Sequence, residues 1–168
     1  MSFLRNTIAA GALLLAGTTH ATDITMANGS VHFSTPDSWL GIMETQGDPE
    51  LRVFQVPDTS PTGSTALARV TVTVKQVADV NEFQQYINGF TAKAKGLSGY
   101  QPGNTQGPNS TAYTAQENGA QFSYLERYWF KDGHAIQLRC VRPAQSQAGP
   151  AWKAAFDKGC DAIAEHLK

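Results

Sequence analysis

The chain holds two cysteines, Cys140 and Cys160, and four histidines, of which His32, His134 and His166 lie beyond the first twenty-one residues. A cysteine within reach of a histidine can act as a nucleophile, and three or four such side chains at short, regular spacing can hold a metal. Neither pattern is met. No two of these histidines stand at metal-ligand spacing. His134 and Cys140 fall on one face of the same expected strand, but the extended chain between them spans about 20 Å, too far for a nucleophilic pair. Glu44, Asp48, Glu50 and Asp58 gather around two loops. Their spacing differs from that of an EF-hand calcium loop; the same carboxylates read as solvated loop charges or, alternatively, as an acidic rim that steers a partner. No glycine-rich phosphate loop follows a strand, and no Gly-x-Ser-x-Gly elbow is present. With no acid, base and nucleophile assembled, the chain is expected not to be an enzyme and to need no cofactor.

The beginning of the chain decides what the cysteines can do. Arg5 supplies a positive start, Ile8 to Gly17 is an apolar run too short to span a bilayer, and small Thr19 and Ala21 stand where a signal peptidase needs them. Residues 1–21 are expected to be an export signal and residues 22–168 a single mature domain. Leu14 to Gly17 resembles the end of a bacterial lipoprotein signal, but Thr18 stands where the lipidated cysteine would be, so no lipid anchor is expected. Export delivers Cys140 and Cys160 to an oxidising compartment, where they are free to pair. Charge is nearly balanced, 13 Lys and Arg against 14 Asp and Glu, which argues against a nucleic-acid surface. No later apolar stretch approaches the ~20 residues of a membrane helix.

The elements that must position these residues follow from periodicity and turn chemistry. Ile24 to Met26 and Val31 to Phe33 flank Asn28-Gly29, a turn dipeptide. Gly41 to Thr45 and Leu51 to Val56 read as short strands. Pro57 to Thr65 reads as an exposed loop. Ala66, Ala68, Val70, Val72 and Val74 alternate with polar residues, the pattern of a half-buried strand. Asp79 can cap a helix, with Glu82 completing a capping box, and Phe83, Ile87, Phe90 and Ala94 form its apolar stripe. Tyr100 to Ser110 is expected to be irregular and exposed.

Thr111 to Glu117, Ala120 to Phe130 and His134 to Arg142 then read as a meander through Asn118-Gly119 and Asp132-Gly133. Two-residue turns would set Glu126 against Arg139, Tyr128 against Gln137 and Tyr113 against Tyr124 on one face. Arg127 and Arg69 are expected to join that polar stripe. Leu125, Trp129, Ile136, Leu138 and Cys140 would line the other face. After Pro150, Trp152, Phe156, Cys160, Ile163 and Leu167 mark one side of a final helix. Cys140 and Cys160 thus lie on facing apolar surfaces. A disulfide fastening the last helix to the last strand is inferred, the alternative being two buried free thiols. Chain-entropy estimates for the loop it closes give roughly 3 kcal/mol.

This order of elements, with the entry pattern Phe33, Pro36 and Trp39, resembles the PsbP-like (Mog/PsbP) fold. The resemblance implies an α+β architecture, an antiparallel sheet covered by two helices, with Trp39 closing one end of the core. Members of that family are mostly binding proteins, among them periplasmic immunity proteins against type VI secretion toxins. It therefore implies a soluble periplasmic protein whose partner is a secreted toxin, a cell-wall or membrane-degrading hydrolase, with no nucleic acid and no stable membrane anchor. Tyr100, Asn104, Asn109, Ser110 and Thr111 are expected to form a loop that plugs the toxin's active-site cleft. The alternative is a periplasmic binding or assembly module for a small ligand or a housekeeping protein.

Overall fold

Two tight turns organise the structure. Asn118, Gly119, Asp132 and Gly133 all take positive φ, at 50°, 82°, 49° and 72°, the backbone that hairpin turns matched to strand twist require. They join three long strands, Ser110–Glu117, Ala120–Lys131 and His134–Pro143, in the register the sequence predicts: Tyr113 faces Tyr124, Glu126 faces Arg139 and Tyr128 faces Gln137.

A computed structural model describes residues 21–105 and 107–168. The export segment expected over residues 1–21 lies outside these, apart from Ala21. In chain order the elements are β1 (Ala21–Met26), β2 (Val31–Pro36), β3 (Leu40–Thr45), β4 (Glu50–Gln55), β5 (Arg69–Gln76), α1 (Val80–Lys95), β6 (Gln101–Pro102), β7 (Ser110–Glu117), β8 (Ala120–Lys131), β9 (His134–Pro143) and α2 (Gly149–Leu167). Among the described residues β1 and β2 form a separate hairpin, and the other strands form one antiparallel sheet in the order β3-β4-β5-β9-β8-β7-β6. The chain is an α+β sandwich.

One face of the sheet carries Phe54, Val70, Val72, Val74, Ile136, Leu138 and Cys140. It is covered by α2, through Phe156, Cys160, Ile163, Ala164 and Leu167, and by the hairpin, through Met26, Val31 and Phe33. The covering layer is thus a helix and a hairpin together. Trp39 closes its end, stacked on Phe156 with ring centroids 6.3 Å apart. Cys140 and Cys160 are joined by a disulfide, so the last helix is bonded to the last strand as inferred. The opposite face is covered by α1, whose Phe83 and Ile87 pack on Tyr128 and Ala135 and whose Ala94 packs near Tyr113 and Phe122. Asp79 caps α1 by accepting a hydrogen bond from the Glu82 N–H at 2.9 Å. The Glu82 carboxylate reaches back to the Ala78 N–H at 2.7 Å, one residue before the cap itself.

Two expectations are corrected. The strand expected from Ala66 begins only at Arg69. The Ala66 N–H bonds to the Thr62 carbonyl of a 3-10 turn, Pro61–Ser64, which bends the chain and sends Ala66 to the α1 side, with Tyr113 and Phe122. The segment Pro57 to Thr65 is not a free loop. Ser146 Oγ donates to Asp58 Oδ2 at 2.6 Å, and Trp152 Nε1 donates to the Pro57 carbonyl at 2.7 Å, so the linker before α2 and the first turn of α2 hold it down.

Candidate functional site

The polar stripe on the α1 face is mostly buried. Glu126, 2 % exposed, sits between the hydroxyls of Tyr113 and Tyr128, both of which donate to it, and the Gln137 amide donates to it at 3.3 Å. Arg139 Nε lies 3.1 Å from Glu126 Oε1, an ion pair set off the axis of a hydrogen bond. The same guanidinium lies over the Tyr124 ring, which stacks on Tyr113 with centroids 4.5 Å apart. Arg69 grips Glu117 with one nitrogen, at 2.6 and 2.8 Å, and Tyr124 donates to the same carboxylate. Burial would raise the Glu117 pKa, but the hydrogen bonds of Arg69 and Tyr124, with the charges of Arg69 and Arg139, outweigh it and hold the carboxyl below its ordinary value. Every charge here has its partner, so the cluster holds strands together rather than offering a free acid or base.

Arg127 does not belong to this stripe. It alternates with Glu126 along β8 and so points to the α2 face, where its guanidinium meets Asp161 at 2.6 Å.

Burial, reinforced by the charge of Glu126 or Glu117, pushes the phenols of Tyr86, Tyr113, Tyr124 and Tyr128 above the ordinary tyrosine value. Unfolded tyrosines ionise near pH 10, so above that pH the unfolded chain has released protons that the folded chain still binds. Stability carried by these groups is complete below the unfolded value and is lost as pH rises towards the folded one. The slope is about 1.4 kcal/mol per pH unit for each tyrosine. Denaturant midpoints followed from pH 8 to 12 are expected to stay level and then fall steeply beyond pH 10. Tyr124→Phe should make the fall shallower by one tyrosine's share, and an unchanged slope would show that this phenol ionises freely in the fold.

The expected partner-binding residues are divided by the sheet. Tyr100 is half-buried, its ring 5.3 Å from Tyr113, and belongs to the α1-side core. Thr111 lies on the same face, opposite Glu126. Ser110 opens β7 opposite Arg127, and its Oγ is buried without a hydrogen-bond partner among the described residues. Asn109 is exposed, takes φ 55°, and its carbonyl accepts the Tyr128 N–H at 2.9 Å. Asn104 lines a groove of about 320 Å³ against α2. Of the five, only Asn104 and Asn109 lie in the exposed loop, because β6 pairs with β7 and draws the ends of the segment into the sheet.

That groove is a second feature which the sequence did not reveal. Its floor holds Ala112, Thr114, Ser123 and Leu125, and one wall is α2 with the Arg127–Asp161 and Arg142–Asp157 ion pairs at 2.6 and 3.0 Å. A larger cleft of about 810 Å³ opens between the turn after β1 and the turn after β3. Its carboxylates are already engaged: Asp48 accepts the Gln76 N–H at 2.9 Å, and Glu50 accepts the Ala27 N–H at 2.7 Å. Among the described residues no group of three His, Cys, Asp or Glu side chains is placed to hold a metal ion. Nor is any described helix long and apolar enough to cross a membrane.

No family model matches the chain, and no curated protein is significantly similar to it in sequence. Solved structures are more informative. The Saccharomyces cerevisiae Ran-binding protein Mog1p is similar over 89 % of this chain and 95 % of its own, with a TM-score of 0.55 and 10 % identity. The fold is PsbP-like. A Pseudomonas aeruginosa protein of unknown function matches 83 % of this chain and 92 % of its own, with a TM-score of 0.51 and 16 % identity. At such identities a PsbP-like fold is shared and nothing more is carried with it.

Proposed function

We propose that the chain is an exported binding protein that neutralises a secreted cell-wall or membrane-degrading toxin by placing a loop in the toxin's active-site cleft. The observation that supports this reading is the loop between β6 and β7. Every described residue from Gln101 to Asn109 is exposed, yet the segment is anchored by the pairing of Gln101 with Thr114 and Pro102 with Tyr113 on one side and by the Tyr128 bond to Asn109 on the other. A loop with fixed ends loses little conformational freedom on binding, which favours tight association. The disulfide fits an oxidising compartment.

Replacing residues 104–108 with a Gly-Ser turn is expected to leave the melting temperature within about 2 °C of the parent, since the described residues of this segment are all exposed. The same change should abolish capture of a secreted hydrolase when the mature protein is used as bait in lysate of the source bacterium. Unchanged capture would remove the loop from the interface. The groove against α2 favours a second reading, a binding module for a small polar ligand, because Asn104, Thr114, Ser123 and two ion pairs line a space of ligand size.

A further inference from the structure

The two edges of the main sheet are finished differently. At one edge β6 is two residues long and contains Pro102, which has no N–H to offer a further strand. At the other edge β3 is six residues long and exposed throughout, with Leu40, Ile42 and Met43 at 54 %, 45 % and 58 %. A bulge between Gly41 and Met43 gives β3 an extra residue, so Leu40 and Met43 share a face although three positions apart, opposite Gln55 and Val53. Half-buried Leu51 and Val53 carry this apolar surface inward, because α1 packs on β8 and β9 and leaves β3 and β4 uncovered on that side. An unpaired apolar edge is a template for an added strand.

Charge specifies what kind of strand. From Thr22 to Leu51 there are five acids, Asp23, Asp37, Glu44, Asp48 and Glu50, and no lysine or arginine, whereas from Arg52 onward 12 Lys and Arg stand against 9 Asp and Glu. Glu44, on β3 itself, is 62 % exposed and shares Arg52 with Glu50, at 3.6 and 3.2 Å, so that one guanidinium faces two carboxylates. The field around the edge is negative and draws cations. A second copy of β3 would bring the same acidic segment to it, a like-charge arrangement that works against self-pairing.

We propose that β3 is a strand-addition site for an extended segment of another protein, one that alternates in apolar residues and is flanked by lysine or arginine. The segment's backbone bonds to the open edge, its apolar side chains cover Leu40, Met43 and Val53, and its cations meet Glu44. This edge lies at the opposite end of the sheet from the β6–β7 loop, so it stands or falls independently of the toxin reading.

Two fluorescein-labelled peptides, Lys-Ile-Thr-Val-Thr-Ile-Lys and Glu-Ile-Thr-Val-Thr-Ile-Glu, would be titrated with the purified protein at low salt and followed by anisotropy. The basic peptide is expected to saturate at least about ten-fold more tightly than the acidic one, the discrimination of ~1.4 kcal/mol that two flanking charges can supply. Ile42→Lys and Met43→Lys alter exposed side chains, so they should melt like the parent while losing the basic peptide by about ten-fold or more. Equal affinity for both peptides, binding of neither, or full retention by folded lysine variants overturns the proposal. A concentration-dependent dimer in sedimentation that either lysine variant abolishes also overturns it, by making a second copy the occupant.

Discussion

Arg139→Met is expected to destabilise the protein by about 3–5 kcal/mol, the cost of leaving a buried charge without its counterion. Glu126 is buried on the sheet with Arg139 as its cation, and both Tyr113 and Tyr128 are already committed to it as donors. Methionine keeps an unbranched apolar stem as far as the position of Nε, so the stem's packing is retained and the loss is chiefly that of the guanidinium. The control is the pair. Glu126→Gln removes the charge while its amide oxygen still accepts from one phenol and its NH2 can donate to the oxygen of the other, and Glu126→Gln with Arg139→Met is expected to be less destabilised than Arg139→Met alone. Denaturant unfolding of the four proteins closes a double-mutant cycle. Additive losses would mean that the ion pair does not couple β8 to β9 and that the stripe is held by its tyrosines.

The second large effect lies at the other end of the sandwich. A methyl group at Gly159 would stand 2.4 Å from Cζ2 and 2.9 Å from Cη2 of Trp39. Gly159 is helical, so its backbone places no demand for glycine, and the requirement comes entirely from the indole lying on α2. Gly159→Ala is expected to cost about 2–3 kcal/mol through overpacking, a fall of roughly 5–10 °C in melting temperature for a domain of this size. Trp39→Phe in the same chain removes the atoms that collide and should recover part of the loss. If Gly159→Ala melts like the parent, Trp39 does not seat on the helix as described.

Much of this arrangement is legible in the residues. Asn118-Gly119 and Asp132-Gly133 admit only a narrow set of turns, so the pairing of Glu126 with Arg139 and the two facial sets of β8 and β9 follow by counting in twos. The helix stripes and the cysteine pairing follow in the same way. Arg127 obeys the same count: as an odd-numbered residue of β8 it shares a face with Leu125 and Trp129, and its reach to Asp161 follows from that alternation. The hairpin of β1 and β2 was not legible as a separate layer, because a short alternating strand looks alike whether it extends a sheet or covers one. The apolar edge of β3 is not legible for a related reason, since exposure depends on which strand lies at the margin and no local pattern encodes that. The signal that could have found it is the stretch from Thr22 to Leu51 without a lysine or arginine.

The packing of α2 on β2 also sets an order in time. The first hairpin finds its apolar cover only in the last helix, so Met26, Val31 and Phe33 have no completed core until residues around Phe156 to Leu167 are present. A chain emerging from its amino end can form the turns and α1 early, yet it cannot finish the layer that encloses Trp39. Contacts so distant along the chain slow folding, and here they keep a nascent polypeptide open until synthesis is nearly done. The bond between Cys140 and Cys160 then closes where α2 seats on β9, joining that helix to the sheet.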